Sequence, residues 1–364
     1  MKIAIVLPPH FRFSVTSPNS IETVVRTLAA QSRYRETIRV LCDESDEDTG
    51  DIVTIRIDPS GGRRARTRRA VAALRDWTPD IIELHQHAPT AGRIARAFPD
   101  RPKYLYRHNF LKQPKTLFQR LRYNLRYAPF DGLVFVSESN RRLFAEVFPQ
   151  LASRCYAIPN AIDSTLWYAD VADREPVIAY TGRAAPEKGF GELCRALEQT
   201  LELHPDWRSV LVTNEWDTHR SWAEGLLSAL DRFGDRVVSL KNQPLATVRD
   251  TLQKASIAVV PSIYYEAFGL AAVEAHAAGA AVISSGVGGL REASGDHALY
   301  LDTVTQESIA AALAMLIRDP DRRLALAEAG QRYVAEEHSV ERRAKQLDDL
   351  RESLVTTKAR RPKR

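Results

Sequence analysis

Cysteine is scarce in this 364-residue chain, which has Cys42, Cys155 and Cys194 and no others. They stand far apart without metal-ligand spacing, and their odd number argues against a disulfide framework. The expectation is a reduced, cytosolic setting, with the three thiols acting as small buried hydrophobes. Long apolar runs are missing too. No stretch approaches the roughly 18 consecutive apolar residues that span a bilayer. The opening Met1-Lys2-Ile3-Ala4-Ile5-Val6-Leu7-Pro8-Pro9 is too short an apolar run for a signal peptide and reads as a first buried strand. There is no fixed-period repeat and no signature of a nucleic-acid-binding module, so no nucleic-acid partner is expected. At 44% hydrophobic and 27% charged residues, the composition excludes collagen-like, low-complexity and wholly disordered classes.

The length suits two domains better than one. Net charge is +5, but it is uneven. Residues 1–165 hold 26 Lys and Arg against 17 Asp and Glu, an excess of nine; the remainder holds 25 against 29, a deficit of four. An anionic partner for the first half follows: a phosphorylated substrate, acidic lipid or nucleic acid by charge alone.

Short β-branched runs alternate with amphipathic segments, the sign of βαβ units and parallel sheets. Strands are expected at Lys2–Leu7, Ile38–Cys42, Ile52–Ile57, Ile81–Leu84, Tyr104–Arg107, Gly132–Val136 and Cys155–Ile158. After residues 165–176 the alternation restarts, with strands at Val177–Tyr180, Ser209–Thr213, Val237–Leu240, Ile257–Val260, Ala281–Ser284 and Ala298–Leu301. Among the helices expected are Ile21–Gln31, Arg66–Trp77, Gln119–Tyr127, Gly189–Thr200 and Ser221–Phe233, and the chain is helical from about Gln306 to Leu354. The fold class is therefore α/β, with two Rossmann-like, doubly wound domains facing across a cleft. The expected division is 1–165, 166–338, a C-terminal helix at 339–357 and a basic, disordered tail at 358–364.

Ligands of such sheets bind beyond the carboxyl ends of strands, so functional residues are sought there. Thr181-Gly182-Arg183-Ala184-Ala185-Pro186-Glu187-Lys188-Gly189 places two cations beside a helix N-terminus, an arrangement suited to a diphosphate; a solvated basic turn is the alternative. After the strand at Ile257–Val260, Glu266 falls in a loop and Glu274 about two turns inside a small, apolar helix. A carboxylate there is costly without partners, and a pair of ribose hydroxyls would satisfy it. The amides of Gly269 and Leu270 could hold phosphate oxygens. Read separately, the two glutamates could equally be a surface charge and a helix-face charge. Gly286-Val287-Gly288-Gly289-Leu290-Arg291-Glu292 supplies a turn that permits close approach. His85, His87 and His108 lie near strand ends in the first half. His85-Gln86-His87 has a spacing that metal sites use, but no third ligand is evident, so no metal site is expected.

Pro261-Ser262, Glu266, Phe268-Gly269, Glu274-Ala275, Gly279 and Gly288-Gly289, preceded by Gly182-Arg183 and Glu187-Lys188-Gly189, resemble the retaining glycosyltransferases of family 4, the glycosyl transferases of group 1 with the GT-B fold. Ile158-Pro159-Asn160-Ala161-Ile162-Asp163 is similar to the segment that ends their first domain, with Asn160-Ala161 where the family has Asn-Gly. The resemblance is strong over 155–300. It implies that the C-terminal helix returns to the first domain. It also implies that Arg183 and Lys188 bind the donor diphosphate, that Glu274 binds the nucleotide ribose, and that Glu266 contacts the donor sugar. Gly182, Phe268, Gly269 and Leu270 complete the donor site. His108, in Tyr106-Arg107-His108-Asn109, matches a histidine near the family's reaction centre. Arg183, Lys188, Glu266 and His108 are then the catalytic candidates, and Asn19, Ser20, His85, His87 and His108 the acceptor-side ones. Where many relatives carry a Gly-Gly loop, this chain has Ser17-Pro18-Asn19-Ser20-Ile21-Glu22, so Asn19 and Ser20 stand in for it through side chains. Thr213-Asn214-Glu215-Trp216 replaces a glycine-rich strand end.

The implied activity is transfer of a sugar, with retention, from a nucleotide diphosphate sugar to a hydroxyl of a cell-envelope glycan or glycolipid such as lipopolysaccharide core. UDP-hexose or UDP-N-acetylhexosamine is the expected donor, and neither metal nor cofactor is required. A sugar-nucleotide epimerase of the same architecture and a non-catalytic anionic-ligand-binding protein are the alternatives. Basic residues beside apolar ones over 59–77 and 103–127, among them Arg63, Arg64, Arg66, Arg68, Lys112, Lys115, Arg120, Tyr104, Tyr106, Phe118 and Tyr127, suit an anionic membrane surface. The expected location is the cytoplasm, with peripheral association with the inner face of the membrane; a solvated helix face over core aromatics, or a groove for an anionic acceptor, is the alternative.

Overall fold

The computed structural model describes residues 1–15, 19–110 and 114–360. Two compact units emerge, one of Met1–Ala161 with the helix that starts at Val340, the other of Ile162–Ser339.

In the first unit, β1 (Ile3–Val6), β2 (Ile38–Asp43), β3 (Thr54–Ile57), β4 (Ile81–His85), β5 (Lys103–Arg107), β6 (Gly132–Phe135) and β7 (Cys155–Ala157) form one sheet in the order β3-β2-β1-β4-β5-β6-β7. Every ladder is parallel. Helices cover both faces of such a sheet, so its strands read as nearly continuous apolar runs; Ile3, Ala4, Ile5 and Val6 are all buried.

In the second unit, β8 (Glu175–Arg183), β9 (Arg208–Asn214), β10 (Val237–Lys241), β11 (Ala255–Val260), β12 (Ala281–Ser284) and β13 (Leu299–Tyr300) run in the order β10-β9-β8-β11-β12-β13, again parallel. Both units are thus Rossmann-like, as expected. Each of the thirteen expected strands is present, with its ends shifted by three residues at most.

Two helical expectations change in detail. The segment expected as Ser221–Phe233 is an α-helix over Arg220–Ser228, followed by a 3-10 stretch Asp231–Arg236 that turns at Gly234, whose φ of 54° is positive. The long C-terminal stretch is three helices, Gln306–Arg318, Pro320–Glu337 and Val340–Ala359. Pro320 cannot continue the helix before it, and Asp319 caps the next one by accepting from the Arg322 amide at 2.9 Å.

The last helix belongs to the first unit. It buries Leu347, Leu350 and Leu354, each worth about 1.5–3 kcal/mol when removed from water. Its Asp348 accepts from Ser32 Oγ at 2.8 Å and the Arg33 amide at 2.9 Å. The helix also runs through Lys358 and Ala359, two residues into the segment expected as a tail, and Lys358 pairs with Asp131 at 3.2 Å. Residues 361–364 lie outside the described residues. Burial pushes the Cys42 and Cys155 thiols up to about 11 and Cys194 to about 12.

Candidate functional site

In the second sheet the chain proceeds from β8 outward through β9 and β10, then returns to β11 on the other side of β8. The reversal opens a crevice at the carboxyl ends of β8 and β11, where ligands of open parallel sheets bind. The donor-site candidates surround this point. Gly182 and Arg183 end β8, and the turn Pro186–Lys188 follows. The Arg183 guanidinium pairs with Glu187 at 3.0 Å and lies 3.8 Å from Glu215. Tyr180 fixes the strand end by donating its hydroxyl to the Arg183 carbonyl at 2.7 Å.

The loop after β11 is sewn to that turn. The amides of Ile263 and Tyr264 donate to the Glu187 carbonyl at 2.9 and 3.2 Å. Gly189 takes φ of 67°, and a Cβ there would lie 2.0 Å from the Pro261 carbonyl oxygen, so only glycine lets the two loops meet. The contact brings Lys188 onto Glu266: its ammonium pairs with Glu266 Oε1, which also accepts from Ser262 Oγ at 2.5 Å. A second close approach holds Glu266 from behind. Gly288, at φ 68°, leaves no room for a Cβ, which would be 2.5 Å from the Glu266 carbonyl, and the Gly289 amide donates to that carbonyl at 2.8 Å.

Helix Leu270–Ala277 starts beside this cluster with Gly269 as its N-cap and no capping side chain. Its first amides and the positive end of its dipole therefore face the crevice uncapped, which favours an anion. Just over one turn in, Glu274 is half-buried. Burial is the only influence on its carboxyl, which is pushed up to about 7, and no described residue bonds to it. Phe268 does not face a ligand through its side chain. Its ring is buried and meets His338 edge-on, with centroids 5.2 Å apart. Ser262 and Glu187 stand in the motifs Pro261-Ser262 and Glu187-Lys188-Gly189, but the motifs alone assign neither a role of its own.

In the first unit the strand order reverses between β1 and β4, and the histidines lie at the ends of β4 and β5. His85 is buried. Its Nδ1 is 2.7 Å from His108 Nε2, and its Nε2 is 2.7 Å from Glu83 Oε1. His108 is half-buried and stacks on Tyr106 at 4.7 Å between centroids. Gln86 Oε1 accepts from the amides of His108 and Asn109 at 3.0 and 3.3 Å. His87 is held separately, with Nδ1 2.8 Å from Thr90 Oγ1. Burial and the nearby Arg63, Arg126, Arg93 and Arg66 push its pKa down.

Asn19 is occupied as a helix cap, its Oδ1 accepting from the amides of Ile21 and Glu22 at 3.0 and 3.1 Å, and Ser20 is exposed. Ser17 and Pro18 of that stretch lie outside the described residues. Glu83 and Arg351, which complete the histidine cluster, gave no signal in the sequence.

The basic surface is partly redrawn. Arg66 is buried and ion-paired with Asp43, and Tyr104, Tyr106 and Tyr127 are core residues. A buried charge needs such a partner, and three rings in the core cannot meet a surface. The exposed apolar side chains are instead on helix Leu117–Tyr127: Leu117 (85%), Phe118 (75%), Leu121 (57%) and Leu125 (61%). They share one face at helical spacing, flanked by the exposed Arg120 and Arg122. Lys112 lies outside the described residues. Among the described residues no helix is long and apolar enough to cross a membrane.

Residues 168–333 match the family model described as glycosyl transferases group 1, and residues 21–166 match that of glycosyltransferase family 4. The chain is 29% identical over 235 residues to an alpha-maltose-1-phosphate synthase of Mycolicibacterium smegmatis, with 57% of this chain and 59% of that protein covered. It is 34% identical over 160 residues to a D-inositol 3-phosphate glycosyltransferase of Segniliparus rotundus, with 43% and 35% covered. It therefore spans between about a third and three fifths of these relatives' lengths. In fold it is similar to Anabaena HepE, crystallised with UDP, at a TM-score of 0.79 and 20% identity, over 97% of this chain and all of the other.

Proposed function

Since the chain belongs to the group 1 and family 4 glycosyltransferases of GT-B type, we propose that it is a retaining glycosyltransferase using a nucleotide diphosphate sugar. The observation that carries this reading is Glu274. A carboxyl half-buried and unpartnered among the described residues, beside an uncapped helix N-terminus, calls for a ligand that brings hydroxyls and phosphates together. Ribose hydroxyls would donate to Glu274 while the diphosphate takes the amides of Gly269 and Leu270 with Arg183 and Lys188.

Glu266 then orients the donor sugar and Lys188 at once, since one carboxylate oxygen meets both Lys188 and Ser262. The bond between the anomeric carbon and the diphosphate oxygen breaks as the acceptor oxygen forms its own bond on the same face. The acceptor's proton passes to the departing diphosphate. Negative charge grows on the leaving group, so fixed cations and helix amides act most strongly in the transition state. That electrostatic work is done by Arg183 and Lys188 without a metal ion.

The donor is a UDP-hexose or UDP-N-acetylhexosamine in this reading, in keeping with the UDP held by HepE. His108 meets a hydroxyl of the acceptor. The acceptor is a cell-envelope glycan or glycolipid, such as lipopolysaccharide core. In this reading the first unit rests on the anionic inner face of the membrane; the exposed Leu117, Phe118, Leu121 and Leu125 with their arginine flanks support it. Incubation with UDP-glucose or UDP-N-acetylglucosamine and lipid-extracted acceptors tests the activity. Acceptor-dependent UDP release and a product with the donor's anomeric configuration support it; no release above the acceptor-free rate with any nucleotide sugar refutes it.

A further inference from the structure

A line of buried groups in the first unit leads from the last helix to His108. Arg351 pairs with Asp348 at 2.8 Å and with Glu83 Oε2 at 2.6 Å. Tyr104 donates its hydroxyl to the same Glu83 oxygen. The other oxygen is 2.7 Å from His85 Nε2, and His85 Nδ1 is 2.7 Å from His108 Nε2. His108 Nδ1 has no partner among the described residues.

The charged end of this line dictates where its protons sit. Burial alone would push Glu83 upward, but Arg351 and the hydrogen bonds from His85 and Tyr104 outweigh it and hold the carboxyl below its ordinary range. An ionised carboxylate only accepts, so the proton between Glu83 and His85 is on His85 Nε2. In a neutral ring, His85 Nδ1 is then a bare lone pair. The proton between the two rings belongs to His108 Nε2. Burial first, and His85 second, push His108 well below the usual histidine range, so its ring is neutral and carries that one proton.

We propose that Glu83 and His85, anchored by Arg351, are positioning residues that lock His108 in its Nε2–H form and leave Nδ1 to accept a hydrogen bond from a substrate hydroxyl. A second hydroxyl of the substrate that donates to Nδ1 is oriented by it, while the attacking hydroxyl keeps its one proton for the departing diphosphate; the opposite form of the ring could only donate to that second oxygen. The role of the accepting nitrogen rests on the reading of His108 as an acceptor-side residue.

Ring-nitrogen NMR of the full, ¹⁵N-labelled chain tests the arrangement without any substrate. His85 and His108, assigned by loss of signals in His85→Gln and His108→Gln, should both be Nε2–H. In Glu83→Gln, Arg351 and Tyr104 keep the amide oxygen on their side, so the amide NH₂ faces His85 Nε2. The line then reverses and both rings become Nδ1–H, a change that a merely space-filling Glu83 would not produce. A wild-type His108 protonated on Nδ1 overturns the proposal, as do unchanged tautomers in a Glu83→Gln variant with native circular dichroism. If that variant does not fold, the wild-type tautomers alone decide. Failure of the functional reading shows separately, as unchanged sugar transfer by His108→Ala.

Discussion

The Lys188 ammonium rests on the Glu266 carboxylate across a separation of 78 residues, joining the loops that follow β8 and β11. Both groups keep some exposure, so a bound diphosphate can draw on the same ammonium without breaking the pair. Lys188→Ala and Arg183→Ala should each lower kcat by about 10²–10³, the cost of removing one donor to charge that develops in the transition state. Melting temperatures should move far less, because both side chains are partly solvated and such ion pairs contribute about 0–1 kcal/mol. Near-wild-type turnover in both variants would place the reaction elsewhere.

Activity should survive EDTA. On the proposed reading, Arg183, Lys188 and the uncapped N-terminus of helix Leu270–Ala277 would neutralise the diphosphate as it leaves. A strict requirement for added divalent ion, measured as acceptor-dependent UDP release, would contradict this account of the leaving group.

Much of this arrangement was legible in the sequence because strands buried on both faces must be apolar, as Ile3–Val6 and Ala281–Ser284 are. Strand ends then located Arg183, Lys188, Glu266 and His108. What was not legible depends on tertiary pairing. Nothing local marks Arg351 as the partner of Glu83, 268 residues away, or Arg66 as a buried partner of Asp43. Helix Ala88–Arg96 escaped notice because Pro89 and Gly92 interrupt its pattern, although Pro89 sits at its start, where a missing amide proton costs nothing. Aromatic residues over 103–127 looked interfacial, yet alternate ones on β5 point into the core while the leucines of the next helix face outward.

His108→Ala should cut transfer by about 10-fold or more, in line with a misplaced acceptor, while UDP affinity stays within about twofold, since no donor-site residue of the second unit is altered. Parallel loss of both, followed by calorimetry and initial rates, would make His108 a folding residue.

Anionic vesicles should sediment the protein at low salt and release it as salt rises, because screening shortens the reach of the arginines. Phe118→Ser with Leu121→Ser should weaken binding by up to roughly 3–6 kcal/mol in total, from the loss of about 1.5–3 kcal/mol of transfer energy per fully inserted side chain. Absence of binding to anionic vesicles at low salt would leave these residues without a membrane role.

The most direct test is UDP binding, with GDP and ADP alongside, followed by calorimetry across pH in the wild type and Glu274→Gln. Ribose hydroxyls bond best to the ionised carboxylate, whose pKa burial has raised to about 7 in the free protein. Affinity should therefore be fully developed above that pH and fall below it. The wild-type advantage over Glu274→Gln should be about tenfold smaller at about pH 6 than at about pH 8, where it should reach roughly 1.5–3 kcal/mol. Taking the ratio of the two proteins cancels the ligand's own ionisation. A pH-dependent advantage of this sign places a nucleotide ribose on Glu274; equal affinities at every pH, or no binding of any nucleoside diphosphate, would contradict the account.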